Sequence, residues 1–272
     1  MNSRPVVIVT GAAQGLGAAT ALEFANRGYE CVLIDRNGTA MQAVAADIEK
    51  LGRRAIQCVG DLSDLAFAES AVTRCVQELG RIDVLVNNAA WRKIGTMRAM
   101  QADEWDQTLR VCLTVPAFLA KWCAAEMEPS MRGVILNISS IQSKLAAGIS
   151  PAYIAAKGGL DSLTYELATL YGPSGIRVLS LNLGAIDTEM SADYVNEDGE
   201  NVSDAVRQFA EGMIPLRRFG RADEIARSIA MLASDDASYM TGACLEIDGG
   251  WTHQSSPYPL KNKQFPKEFP SS

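Results

Sequence analysis

Tyr153 and Lys157 stand four residues apart in the run Pro151-Ala152-Tyr153-Ile154-Ala155-Ala156-Lys157, and Ser140 precedes the tyrosine by thirteen positions. On a helix, residues four apart share one face. A phenol with its ordinary pKa of about 10 is a poor base at neutral pH. A lysine ammonium one turn away favours the phenolate, and a cationic cofactor nearby favours it further. Ser140 follows the apolar run Val134-Ile135-Leu136-Asn137-Ile138. A strand ending there presents its hydroxyl at the carboxyl edge of a sheet, where open α/β sheets bind ligands. A base, its activator and a donor for an oxygen suit the movement of a proton on or off a hydroxyl. Tyr-x-x-x-Lys alone also occurs by chance on solvated helix faces, so the rest of the chain has to carry the reading. The only histidine is His253, which leaves almost no material for a serine-histidine-acid hydrolase or a histidine-bound metal, and no metal is expected.

The elements that must position these residues alternate along the chain. Pro5-Val6-Val7-Ile8-Val9 reads as a buried strand. The loop Thr10-Gly11-Ala12-Ala13-Gln14-Gly15-Leu16-Gly17 then leads into an amphipathic helix ending near Arg27. Glycines at such a turn let the backbone approach a pyrophosphate, and the helix N-terminus stabilises its charge. The strand Glu30–Ile34 ends in Asp35, placed to bind the ribose hydroxyls of NAD and repel the 2′-phosphate of NADP, while Arg36 is a cation that could hold that phosphate. The carboxylate at the strand end favours NAD. A helix over 39–51 and the strand 55–59 follow. Asp61 and Leu62 then fit either adenine contacts or, for Asp61, the cap of a helix reaching Leu79. A fourth strand, 82–86, ends in Asn87-Asn88-Ala89-Ala90. Four alternations predict a parallel sheet with helices on both faces.

Ala102 to Met127 reads as two long helices or one bent near Pro116, with an apolar stripe suited to core or subunit contact. After the helix carrying Tyr153 come a strand over 176–181 and a loop containing Gly184, Ile186 and Thr188. A polar segment from Ser191 to Gly212, rich in acids that include Asp193 and Glu197, reads as a mobile lid or as a merely solvated loop. A helix over 223–233 and a strand over 243–247 close the domain at Asp248-Gly249-Gly250.

The chain has 272 residues and a net charge of −7, which argues against nucleic acid or anionic membrane as a partner because both need a basic surface. No apolar run approaches a membrane span in length, and the glycines near the N-terminus favour a phosphate loop over a secretory signal, so a cytoplasmic protein is expected. The six scattered cysteines form no Cys-x-x-Cys pair and read as small buried hydrophobes.

Taken together, the loop from Thr10 to Gly17, Asp61-Leu62, Asn87-Asn88-Ala89, Ser140, the Tyr153/Lys157 pair and Asp248-Gly249-Gly250 resemble the short-chain dehydrogenase/reductase family over roughly residues 5–251. The resemblance implies a single Rossmann-type, doubly wound α/β domain over 1–251. It implies that Tyr153 is the general acid/base, that Lys157 binds the nicotinamide ribose and supports the tyrosine, and that Ser140 holds the substrate oxygen. Thr10, Gly11, Gln14, Gly15, Leu16, Gly17, Asp35, Arg36, Asp61, Leu62, Asn88, Ala89, Gly184, Ile186 and Thr188 become cofactor contacts, with the last two at the nicotinamide amide. By analogy with family loops, Trp91, Arg92, Ile94, Gln142, Ile149, Met190 and Tyr194 line or cover the pocket of a small-molecule substrate. A homotetramer or homodimer is implied, with the helix from about Glu104 and the Tyr153 helix between subunits.

Three departures stand out. Cys112 occupies the place of a family asparagine that anchors a proton-relay water, Ala90 replaces a glycine and Leu183 replaces a proline. The chain also continues past Gly250 with Pro257, Pro259, Pro266 and Pro270 interleaved with Tyr258, Phe265 and Phe269, a composition that predicts an extended arm over 252–272, packed on a neighbouring subunit or disordered. The leading expectation is hydride transfer between NAD and a small secondary alcohol or its ketone. The alternatives are an NADP-dependent 3-oxoacyl or other carbonyl reductase and, with Cys112 as its support, a cofactor-binding sensor that has lost catalysis.

Overall fold

Alternating apolar residues on β1 (Val6–Thr10) face opposite ways and determine the layering of the molecule. Val7 and Val9 pack into one core with Phe24, Leu33, Leu136 and Ile229, whereas Val6 and Ile8 join another with Val32, Leu85, Leu119 and Ile135. A strand buried on both faces needs helices on both sides. The computed structural model describes residues 4–192, 194–196 and 198–270.

Chain order runs α1 (Gly15–Asn26), β2 (Glu30–Asp35), α2 (Gly38–Lys50), β3 (Ala55–Val59), α3 (Leu65–Leu79), β4 (Val84–Asn87), α4 (Ala102–Leu109), α5 (Val115–Met127), β5 (Gly133–Ser140), α6 (Pro151–Tyr171) and β6 (Ile176–Leu183). It continues through β7 (Ile186–Asp187), α7 (Ser203–Met213), β8 (Gly220–Arg221), α8 (Ala222–Ala233), β9 (Ala243–Ile247) and α9 (Tyr258–Gln264). Seven strands form a parallel sheet in the order β3-β2-β1-β4-β5-β6-β9. The winding reverses between β1 and β4, and a crevice opens at such a switch point beyond the strand ends. The short pair β7-β8, which local sequence did not disclose, ties the loop after β6 to the start of α8.

Two buried polar clusters fasten the middle of the sheet. Asn87 donates to the Asn137 side chain at 2.9 Å, and Asn137 donates to the Thr164 hydroxyl at 3.0 Å. Asp161 accepts from Ser180 at 2.7 Å and from Asn182 at 2.9 Å. Such groups are tolerated in the interior because they are paired. All six cysteines are free, five of them buried, as small hydrophobes should be. Burial pushes the Cys31 and Cys75 thiols up to about 12.

The two helices expected from Ala102 are α4 and α5, joined into one helical run to Ser130 by a π-helical turn at Arg110–Thr114. Pro116 follows that turn and cannot bond the carbonyl four residues back, that of Cys112, which lies inside it. By length and composition the run could cross a membrane, although no such run was expected from the sequence. Here its α5 face supplies Val115, Leu119, Ala120, Cys123 and Met127 to the core. The tail, expected as an extended arm, is not extended. It turns at Trp251–His253, forms α9 and folds back on α7 of its own chain. Gln254 donates to the Met213 carbonyl at 2.6 Å, and the Arg217 guanidinium stacks 4.3 Å from the Tyr258 ring centre. Tyr258 in turn meets Phe269 edge-on at 5.9 Å. The aromatics between the prolines thus find one another and a cation, a local core that proline content alone conceals.

Candidate active site

A cavity of about 820 Å³ lies across the carboxyl ends of the strands. Residues just beyond β1, β2, β3, β4 and β6 reach it as Gly11, Arg36, Gly60, Asn88 and Gly184, and β5 delivers Ser140.

At one end the wall is mostly backbone. Gly11 and Gly15 have φ of +64° and +55°, the left-handed region that favours glycine. A Cβ on Gly17 would lie 1.9 Å from the Gly11 carbonyl oxygen, so α1 can approach the loop only with glycine there. The first N–H groups of α1 are left to face the cavity, a site suited to a phosphate. Gln14, Leu16, Asp61, Leu62 and Ala89 also line it. The Asp35 carboxylate accepts from the Ala13 N–H at 3.1 Å and the Asn37 N–H at 2.9 Å, which holds the acid at the wall. Arg36 is exposed beside it. Asp61 is not the cap of α3: its carboxylate turns the chain through the Ser63 N–H, and Asp64 caps the helix through Ala66.

Thr10 departs from the expected cofactor contact. It is buried, accepts from the N–H groups of Asn88 and Ala89 at 2.9 and 3.0 Å, and is absent from the cavity wall. It splices β1 to β4, and Asn88 answers by donating to the Thr10 carbonyl.

In the middle of the cavity α6 supplies Tyr153 and Lys157, with Pro151 at its first position setting the helix start. Lys157 is buried, donates to the Ile138 carbonyl at 2.6 Å, and places its ammonium 5.5 Å from the Tyr153 ring centre. Ser140 lies on the same wall and accepts from the Gln142 N–H at 3.1 Å. A phenol, an ammonium and a hydroxyl in one cavity can pass a proton to or from a substrate oxygen. Gly184, Ile186 and Thr188 line the adjoining wall.

Cys112 does not reach the cavity. It is fully buried within the π-helical turn, where its sulfur accepts from the Trp91 N–H at 3.4 Å and donates to the Trp91 carbonyl at 3.3 Å. The thiol therefore positions the loop after β4 instead of meeting reactants.

The far end is built from side chains. Trp91, Arg92, Gln142, Met190 and Tyr194 line it. Ile94 and Ile149 do not; the Gly95 N–H donates to the Ile149 carbonyl at 2.8 Å, and both isoleucines are exposed beside that link. Of the presumed lid, Asp193 and Glu197 lie outside the described residues. The remainder holds α7, whose Val206, Phe209 and Ala210 enter the wall together with Trp251. These were missed in the sequence. The signal was the spacing of Val202, Val206, Phe209 and Met213 at three and four residues inside a polar run.

The cavity residues fit a nicotinamide dinucleotide: a backbone cradle that side chains would fill, an acid at the second strand end, and a lysine beside the tyrosine. Comparison with known proteins agrees. A family model described as enoyl-(acyl carrier protein) reductase matches residues 11–252. The chain is 35% identical to cis-4-hydroxycyclohexanecarboxylate dehydrogenase of Sinomonas cyclohexanicum over 91% of its length and 96% of that protein. It is 33% identical to D-threitol dehydrogenase of Mycolicibacterium smegmatis, covering 91% and 92% of the two chains. The crystal structure of acetoin dehydrogenase from Salmonella typhimurium superposes with a TM-score of 0.82 at 32% identity, over 93% and 97% of the two chains. The chain belongs to the short-chain dehydrogenase/reductase family and is an NAD(P)-dependent oxidoreductase of alcohols and ketones.

Proposed function

We propose that this protein is an NAD-dependent dehydrogenase of a small secondary alcohol, with Tyr153 as its acid/base. The observation that carries the NAD reading is Asp35, whose two oxygens are anchored by backbone N–H groups at the cavity wall. A fixed carboxylate there accepts from ribose hydroxyls and repels a 2′-phosphate. Gly11, Gln14, Gly15, Leu16 and Gly17 would hold the pyrophosphate. Asp61, Leu62, Asn88 and Ala89 would border the adenosine half, and Gly184, Ile186 and Thr188 the nicotinamide. The bound dinucleotide supplies a carbon that accepts or gives a hydride.

The chain's own residues do the proton work. Ser140 donates to the substrate oxygen and orients it toward Tyr153. In oxidation the phenolate oxygen takes the hydroxyl proton as the carbinol carbon gives up its hydride; in reduction the phenol returns that proton to the forming alkoxide. Lys157, held by the Ile138 carbonyl, places its side-chain nitrogen 5.5 Å from the ring centre, within reach of the phenol's electrostatics. The hydroxycarboxylate and polyol substrates in the relatives' names favour a secondary alcohol. Free, unpaired cysteines support a reducing cytoplasm, and exposed Phe118, Tyr165 and Leu170 on α5 and α6 support assembly as a homotetramer or homodimer.

Titration of the purified protein with NADH and with NADPH, read by nicotinamide fluorescence, tests the reading. Tighter NADH binding is expected. Tighter NADPH binding would transfer the role to Arg36 and favour ketone reduction, and binding of neither would overturn the cofactor site.

A further inference from the structure

The Arg92 guanidinium is a cation inside the cavity with neutral partners. One of its terminal nitrogens donates to the Met190 carbonyl at 3.3 Å and the Tyr194 hydroxyl at 3.1 Å. Its central carbon lies 5.7 Å from the Tyr194 ring centre and 5.9 Å from that of Tyr153. Among the described residues no carboxylate comes within ion-pairing distance of it. Its Nε and Nη1 groups make no hydrogen bond to those residues either, so the fork of donors is half used. The cavity's acids lie away from it. Asp35 is held by the glycine loop, Asp61 turns the chain before α3, and a Cβ on Gly15 would meet the Glu189 carboxylate at 3.1 Å.

Surface arginines of this chain are commonly paired, as Arg207 with Asp187 and Arg218 with Glu224. An arginine held over two aromatic rings in a partly buried cavity, with donors to spare, is short of an anion. We propose that Arg92 receives a carboxylate of the substrate, which makes the substrate class a hydroxy acid; this rests on the dehydrogenase reading of the same cavity. Tyr153 and Arg92 then take hold of two ends of one molecule, the hydroxyl at the phenol and the carboxylate at the guanidinium. The planar fork suits two parallel hydrogen bonds to a carboxylate. One guanidinium at the substrate end, apart from Lys157 beside Tyr153 and Arg36 beside Asp35, in a chain of net charge −7, suits one negative charge and not a polyphosphorylated group. Because the same guanidinium holds the strap at Met190 and Tyr194, an anion bound there also rests against the cover of the site.

The test uses matched pairs of hydroxy acid and primary amide: 3-hydroxybutanoate, 4-hydroxypentanoate and 3-hydroxycyclohexanecarboxylate. Each is assayed for kcat/KM and for binding to the enzyme–NADH complex, in the native enzyme and in Arg92→Gln and Arg92→Lys. The native enzyme is expected to favour the acid in at least one pair, and Arg92→Gln to reduce that acid-to-amide ratio by about 10–150-fold. Arg92→Lys should restore part of it, since the charge returns without the fork. NADH titration of each variant reports an intact cofactor end. Equal handling of acid and amide by the native enzyme, an unchanged ratio in Arg92→Gln, or neither binding nor turnover of any acid would overturn the proposal. Turnover confined to neutral alcohols would overturn it while leaving the dehydrogenase reading standing. Loss of NADH binding in the native protein would remove that reading itself.

Discussion

The two ends of the cavity are built on different principles. At the end lined by the glycine loop the wall is shaped by backbone, and the side chains that matter are mostly absent ones: Gly17 leaves room for α1 to approach the loop, and Gly11 and Gly15 adopt torsions other residues resist. At the substrate end Arg92, Met190, Tyr194, Phe209 and Trp251 come from loops and helices separated by up to 159 positions in the chain, and each acts through its own functional group. A backbone site has a narrow solution and reads as a motif. A side-chain site has many solutions and becomes visible only once the chain has folded.

The contrast can be broken in graded steps. Tyr153→Phe should have the largest effect, a fall in turnover of about 10²–10⁴-fold with NADH still bound, measured by steady-state kinetics beside a fluorescence titration. Turnover close to native would take the acid/base role away from the phenol. Gly17→Ala should damage the cofactor end selectively. The new methyl must displace the Gly11 carbonyl, and NADH binding should weaken about 5–150-fold, the range of overpacking costs. Native NADH affinity in that variant would show the loop to be far softer than its contacts suggest. Cys112→Asn should do least to catalysis. An amide has the donor and acceptor needed for the two Trp91 backbone groups, so turnover should be equal or higher, with stability lowered by about 1–3 kcal/mol from the added volume. A large loss of kcat with an unchanged melting temperature would give the thiol a part in the reaction.

Much of the fold was legible because its causes are local. Apolar β-branched runs gave away the seven strands to within a few residues, and the glycine loop, the acid after β2 and the Tyr153/Lys157 spacing marked where the sheet edge would be used. Other features have causes that act across space. Thr10 resembled a ligand contact by position, yet its hydroxyl is consumed by the Asn88 and Ala89 amides, 78 and 79 residues away. Ile94 and Ile149 were expected by analogy to line or cover the pocket, but neither is in the cavity wall, and both are exposed beside the hydrogen bond that joins their two loops. Pro116 announced an irregularity in the helical run from Ala102, but not that it would take the form of a π-helical turn at Arg110–Thr114. The lid read as polar because charged residues are interspersed among its apolar ones, although the spacing of Val206, Phe209 and Ala210 decides which residues of α7 reach the cavity.

The tail gives the cover of the site a mechanical asymmetry. Gln254, Tyr258 and Pro259 meet Gly212, Met213 and Arg217, so the tail clamps the C-terminal end of α7, whereas its first turns, with Val206 and Phe209 over the cavity, are held from inside the domain by Arg207 on Asp187 and over the Phe219 ring. One end of the cover thus takes its stiffness from residues that line no part of the cavity. Changes in the last twenty positions can retune how fast product escapes while the chemistry at Tyr153 stays as it is.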